Sequence, residues 1–271
     1  MKIRVYSDFH LDHYSKHQDF WYPPSLLDDK ETILVLAGDL WIGSKFIEWG
    51  ETSWIANVAE NFKQVLIVLG NHDYWPQGNL SILNGANKLN GMLADRYLNN
   101  VSVLDCDCFE VDDFLFVGAT LWTDMLEDPL AMFNMERFMS YDGKIAYETG
   151  LNGQYHKFTS EKWVLTNKKH RDYLKHIVEQ NKNKKVIVIT HHSPLEHLIN
   201  PIYIGDTSNA YYVNNMSDFI LDNEHIKMWI FGHVHHQFDI MFGECRIINN
   251  AVGYKNEGLF KNVVHKTIEI F

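Results

Sequence analysis

Five short apolar runs, each stopped by a polar cluster, constrain this chain more than any other feature. Ile3-Arg4-Val5-Tyr6 leads into Ser7-Asp8-Phe9-His10. Ile33 to Ala37 leads into Gly38-Asp39, and Val65 to Leu69 into Gly70-Asn71-His72-Asp73. Val186 to Ile189 leads into Thr190-His191-His192, and Met228 to Phe231 into Gly232-His233-Val234-His235. Short runs rich in β-branched residues and bounded by Gly or Asp read as buried strands. Their near-continuous apolarity predicts strands covered on both faces, as in parallel sheets flanked by helices.

The spacing predicts helices over Asn79 to Tyr97 and over Ser160 to Asn181. The second carries Trp163, Tyr173, Leu174 and Ile177 on its apolar side, with Thr159-Ser160 available as a cap. Val101 to Leu121 and Phe238 to Ile270 read as hairpins and antiparallel strands, with Gly118 and Gly243 as turn or bulge positions. Two segments interrupt the pattern, at about 122–158 and 197–215. The first holds Met125, Met132, Phe133, Met135, Phe138 and Met139. These read first as the packing of a small helical cap and second as a substrate cleft. With no internal repeat or low-complexity linker, 1–271 is expected to be one α/β domain with two cap-like insertions.

The polar clusters supply two aspartates, one asparagine and at least four histidines at points where strands can converge. Imidazole nitrogen with carboxylate and amide oxygen suits divalent Mn, Fe, Zn or Co. No thiolate lies among them, which argues against a structural zinc site. In Asp8-Phe9-His10 the two ligands are two apart, and an extended backbone would aim both the same way. His233-Val234-His235 has the same spacing, and there a turn aiming them at adjacent ions is the alternative. Asp39 has oxygens enough to bridge two ions.

Only three cysteines occur, Cys106, Cys108 and Cys245. That sparse, odd set predicts no disulfide framework and a cytoplasmic setting. Cys106-Asp107-Cys108 reads as two residues on one strand face before it reads as a metal site. No apolar run reaches a membrane span, and the N-terminal apolar stretch is too short for a signal peptide. The net charge of −11 disfavours a broad grip on extended nucleic acid. It leaves a phosphorylated small molecule or nucleotide open, because bound cations reverse the local field. Lys168, Lys169, Arg171, Lys175, Lys182, Lys184 and Lys185 read as a solvated helix face and its exit.

As an ordered set these clusters resemble the signature of the calcineurin-like metallophosphoesterase superfamily: D-x-H, G-D, G-N-H-D/E, a strand-end H, then G-H-x-H. The resemblance spans residues 8 to 235. It implies a two-sheet sandwich flanked by helices and a dinuclear centre. Asp8, His10 and His235 would hold one ion, Asn71, His191 and His233 the other, and Asp39 would bridge them. The ions would be Mn first, with Fe, Zn, Co or Ni as alternatives. His72 would be the catalytic histidine that protonates the leaving oxygen.

Departures from the protein-phosphatase branch matter. Its G-D-x-x-D-R reads here Gly38-Asp39-Leu40-Trp41-Ile42-Gly43, so the aspartate that partners the catalytic histidine and the phosphate-gripping arginine are both replaced. The third motif ends in Asp73 rather than Glu. A diester carries one negative charge and needs no such arginine, so a phosphodiesterase is expected first and a phosphomonoesterase second. A nuclease and a non-catalytic scaffold are weaker alternatives. The expected substrate contacts are His13 and His192, which flank ligand positions, and Trp122 and Arg137 in the cap.

Overall fold

Alternation within the apolar runs decides which layer each side chain joins. The computed structural model describes residues 1–48, 53–139, 141–149 and 155–270. In β1 (Lys2–Tyr6), β2 (Thr32–Ala37) and β3 (Gln64–Val68), one set of alternate residues faces a second sheet. That set is Ile3, Val5, Ile33, Val35, Ala37, Leu66 and Val68. The other set, Tyr6, Leu34, Leu36, Val65 and Ile67, faces an outer core. Side chains of successive strand residues point to opposite faces, so one apolar run serves two cores.

β4 (Val101–Val103) extends the first sheet in parallel with β3. Beyond it, β5 (Asp107–Val111) and β6 (Phe114–Gly118) form an antiparallel hairpin of the second sheet. A small hairpin, β7 (Ala146–Thr149) with β8 (Tyr155–Lys157), stands apart. β9 (Lys185–Ile189), β10 (Ile226–Phe231), β11 (Phe238–Phe242) and β12 (Cys245–Asn249) complete the second sheet, and β13 (Ile268–Glu269) edges the first. The strand orders are β13-β1-β2-β3-β4 and β11-β12-β10-β9-β6-β5. β1 to β4 run parallel, as do β6, β9, β10 and β12.

Helices cover both outer faces. α1 (Lys45–Glu48), α2 (Trp54–Ala59) and α3 (Gly85–Asp95) contribute Phe46, Trp54 and Leu89 to the first outer core. α4 (Pro129–Phe138) belongs to the first insertion. α5 (Ser160–Gln180) and α6 (Ser217–Leu221) place Leu174, Val178, Phe219 and Ile220 on the second. The result is the expected sandwich of two sheets between helices. Thr159 caps α5, its hydroxyl accepting from the Lys162 amide at 3.4 Å.

Three local expectations need correction. The helix foreseen from Asn79 begins only at Gly85, because Asn79 is left-handed (φ 53) and Ser81 bridges Ala146 of the insertion. Val101–Val103 joins no hairpin: the register pairs Val101 with Val65 in parallel. Gly118 ends β6 rather than turning, whereas Gly243, at φ 60, does make the β11–β12 turn.

The insertions sit beside the carboxyl ends of the parallel strands. Residues 140 and 150–154 of the first lie outside the described ones. Met125 and Met135 are buried in core packing, while Phe133 is exposed. The Tyr211 hydroxyl donates to Ala131 O at 2.7 Å, joining the second insertion to α4. Among the described residues no helix is long and apolar enough to cross a membrane.

Candidate metal centre

Every anticipated ligand follows the carboxyl end of a parallel strand: Asp8 and His10 after β1, Asp39 after β2, Asn71 after β3, His191 after β9, His233 and His235 after β10. An extended backbone does not aim them. Asp8 (φ 57), His10 (46), Asp39 (55), His233 (69) and His235 (43) are all left-handed. The extended reading of Asp8-Phe9-His10 is therefore wrong, and the turn alternative for the 233–235 pair describes the chain. A non-glycine residue in this region costs roughly 1–2 kcal/mol. Five such residues at one locus mark strain concentrated where side chains must converge.

The donors gather in two groups that share Asp39. In the first, Nε2 of His10 and of His235 lie 2.9 Å apart. Asp8 Oδ1 is 3.5 Å from the His235 nitrogen, and Asp39 Oδ2 is 3.7 Å from the His10 nitrogen. Two imidazole lone pairs facing each other are stabilised only by a proton or a cation between them. In the second, His191 Nε2 is 3.4 Å from Asp39 Oδ1 and 3.1 Å from Asn71 Oδ1, with the His233 ring 5.0 Å from that of His191. His233 Nε2 is buried without a hydrogen-bond partner among the described residues. This donor set fits a pair of borderline divalent ions.

The glycines before the ligands make this closeness feasible. A Cβ on Gly70 would overlap Asp39 Oδ1, and one on Gly38 (φ 90) would overlap His191 Nδ1. Asp73 ties the loops together. Its carboxylate accepts from the amides of Asp39 (2.9 Å), Leu40 (3.0 Å), Trp41 (3.2 Å) and Gly70 (2.7 Å). The acidic end of the third motif is thus a backbone clamp.

Outer partners fix which imidazole nitrogen faces inward. His191 Nδ1 donates to Ala37 O at 2.8 Å, and His235 Nδ1 to Glu257 Oε2 at 2.8 Å, leaving Nε2 of each for the centre. Burial acts downward on His235, but hydrogen bonds to Asp8 and Glu257 overcome it and hold it up to about 10. Burial likewise opposes protonation of His191, and the Asp39 charge outweighs it, lifting it to about 9. Burial pushes His10 and His233 well below the usual range, which keeps them neutral.

His72 stands beside both groups. Its amide donates to Asp39 Oδ1 at 2.9 Å, its Nε2 lies 3.2 Å from the Tyr254 hydroxyl, and its ring stacks on Trp75 at 3.6 Å. Burial lowers it to about 4. His72 could also join His10 and Asp39 around an ion. The Trp75 stack and the tyrosine hydroxyl favour the non-ligand role. Tyr254, stacked on His10 at 4.2 Å, gives the His72 ring a hydroxyl partner from the C-terminal part of the chain. A cleft of about 420 Å³ opens over the centre, walled by Trp75, Tyr141, Tyr203, Tyr212 and Tyr254. Among its described lining residues there is no Arg or Lys.

The expected substrate contacts fare unevenly. Trp122 is fully buried against Phe158 and Trp163, so it supports the cap and cannot touch substrate. His192 is also buried, its ring 4.4 Å from that of His233, which it backs from behind. Arg137 is exposed on α4 and does not line the cleft. His13 lies at the rim, 4.6 Å from the Tyr254 ring, and outside the lining set. Sequence reasoning missed Trp75, Asp142, Tyr254 and Glu257. Only Trp75, three residues after His72, had a local signal.

A model of the calcineurin-like phosphoesterase family matches residues 1–237. The chain is 26% identical over 273 residues to an uncharacterized protein of Acanthamoeba polyphaga mimivirus, covering 94% of this chain and 92% of that one. It is 23% identical over 294 residues to a probable cyclic nucleotide phosphodiesterase of Coxiella burnetii, covering 97% and 95%. The crystal structure of a phosphopantetheinyl hydrolase from Mycobacterium tuberculosis superposes with a TM-score of 0.66 over 99% of this chain and 95% of that chain, at 14% identity. That likeness concerns the fold.

Proposed function

The chain belongs to the calcineurin-like phosphoesterase family, and we propose that it is a phosphodiesterase with a dinuclear metal centre. The carrying observation is one buried carboxylate, Asp39, between two donor groups: Oδ2 lies 3.7 Å from His10 of the Asp8, His10 and His235 group, and Oδ1 lies 3.4 Å from His191 of the other. Asp8, His10 and His235 would hold one ion and Asn71, His191 and His233 the other, with Asp39 shared between them. Mn is the first choice, ahead of Fe, Zn, Co and Ni. When bound, the ions supply an activated water and positive charge against the phosphate oxygens.

The protein's own groups do the rest. Glu257 and Ala37 O hold the protons of His235 and His191 away from the centre. His72, oriented by Trp75 and Tyr254, is placed to hand a proton to the leaving oxygen; burial keeps it neutral in the free centre, so it takes that proton up when the anionic phosphate binds beside it. The aromatic wall offers faces to an apolar ester substituent.

A diester is favoured by the lining without Arg or Lys among the described residues. A monoester dianion calls for a guanidinium to grip its extra oxygen. A cleft of about 420 Å³ suits a nucleotide-sized ligand. The likeness to a probable cyclic nucleotide phosphodiesterase of Coxiella burnetii supports a nucleotide diester as the first class to try. The reading takes 1–271 as one domain with insertions at about 122–158 and 197–215, and the free cysteines support a cytoplasmic setting. The test is kcat/KM for bis-nitrophenyl phosphate against nitrophenyl phosphate with one metal. The diester should be hydrolysed at least as efficiently. A monoester preference of tenfold or more, about 1.4 kcal/mol of transition-state binding, would make the protein a phosphomonoesterase instead.

A further inference from the structure

The first insertion reaches into the centre through one side chain. Asp142, in the short 3-10 turn Asp142–Lys144, is 2% exposed. Both of its oxygens lie 3.1 Å from Asn71 Nδ2, and Oδ1 lies 2.7 Å from Trp75 Nε1. An indole nitrogen only donates, so Asp142 Oδ1 is an acceptor here. The Asn71 amide must then turn its NH2 toward Asp142. Its carbonyl oxygen is left facing the Asp39 side, 3.1 Å from His191 Nε2. The flipped amide would set a carbonyl oxygen against a carboxylate.

We propose that Asp142 is the positioning residue that sets Asn71 as an oxygen ligand, so that the insertion controls occupancy of the second ion site. The same carboxylate holds the Trp75 indole, whose ring stacks on His72 at 3.6 Å and on Tyr141 at 4.6 Å. One buried group from outside the two-sheet core therefore orients a ligand on one side and the proton donor's support on the other. Outer partners of metal ligands typically change metal affinity or activity by about 10–100-fold when removed. This inference rests on the dinuclear reading of the centre.

The experiment is Mn titration of the full chain by calorimetry and by EPR, free of any substrate. It compares wild type with Asp142→Asn, Asn71→Ala and the double variant. Asp142→Asn keeps shape and size but offers an NH2 of its own, so the Asn71 amide is no longer held in one orientation. Wild type should take two ions, and Asp142→Asn should keep one and weaken the other about 10–100-fold. In the Asn71→Ala background, Asp142→Asn should add nothing further. That non-additivity is absent from a merely structural role, which lowers stability independently of Asn71. Unchanged affinity for both ions in Asp142→Asn, or an effect that simply adds to Asn71→Ala, overturns the assignment. A wild-type protein that takes one ion in excess Mn fails the dinuclear reading itself, and the assignment falls with it. Asp142→Leu, without any hydrogen-bonding group, should weaken the same ion at least as much. An Asp142→Leu protein with tighter or equal binding refutes the proposal even if Asp142→Asn folds poorly.

Discussion

A single methyl group tests how tightly the centre is built. Gly70 has no room for a Cβ: one placed there would overlap Asp39 Oδ1 and sit 2.7 Å from the Asp39 amide nitrogen and 2.6 Å from His191 Cε1. Neither neighbour is the free end of a flexible chain. Asp39 is held through its own amide by Asp73 at 2.9 Å and through Oδ1 by the His72 amide at 2.9 Å. His191 is held by Ala37 O at 2.8 Å. In Gly70→Ala the Asp39 loop must retreat by several tenths of an ångström. Overpacking of this kind costs roughly 1–3 kcal/mol, and one stretched hydrogen bond to a carboxylate adds roughly 1.5 kcal/mol. A total of about 3 kcal/mol lowers Tm by roughly 6–12 °C in a chain near this size. The control is Gly91→Ala in α3, where a Cβ meets nothing within 4 Å. Glycine in a helix interior costs about 0.5–1 kcal/mol relative to alanine, so Gly91→Ala should melt slightly higher. Thermal melts with and without Mn, together with metal content, make the comparison. Gly70→Ala should lose Mn stoichiometry as well as stability. A Gly70→Ala protein that melts within a degree of wild type and keeps two ions would refute the packing account of the centre.

Replacing His72 with Ala should lower turnover by roughly 10²–10⁴ while leaving metal content unchanged. A nitrophenol leaving group should mask part of the loss, and loss of an ion instead would make His72 a ligand. Chelator-treated protein should become less stable as pH rises from the unfolded imidazole value of about 6.5 toward 9 and 10. The reason is that His191 is lifted to about 9 and His235 to about 10 in the fold. Groups raised on folding contribute their full stabilisation below the unfolded value and lose it as pH climbs through the folded one. Mn should reverse the trend, since metal binding requires the deprotonated ring. A metal-free Tm that stays flat or climbs between pH 6.5 and 9 contradicts this account.

The order of the strands' polar endings, and so the candidate ligands, was legible in the sequence because both signals are local. Continuous apolarity across Ile33 to Ala37 or Met228 to Phe231 needs no knowledge of the partner sheet, and each candidate ligand follows closely on its own run. The backbone that aims those ligands was not legible. Asp8, His10, Asp39, His233 and His235 are left-handed, a conformation that none of these residue types demands and that only packing of the loops against one another sustains. The supporting partners were not legible either, because chain distance hides them. Asp142 is 71 residues from Asn71, and Tyr254 is 182 residues from His72. Tyr254 and Glu257 also lie beyond the span that matches the family. The burial of Trp122 and His192 follows from Phe158 and Trp163 packing on Trp122, and Trp122 and Trp163 on His192, which a reading of neighbours along the chain could not supply. Sequence alone determined the candidate donors and the sheets that deliver them. Tertiary structure alone decided the direction of each ligand and the groups that hold it there, because those depend on contacts between segments that no local pattern links.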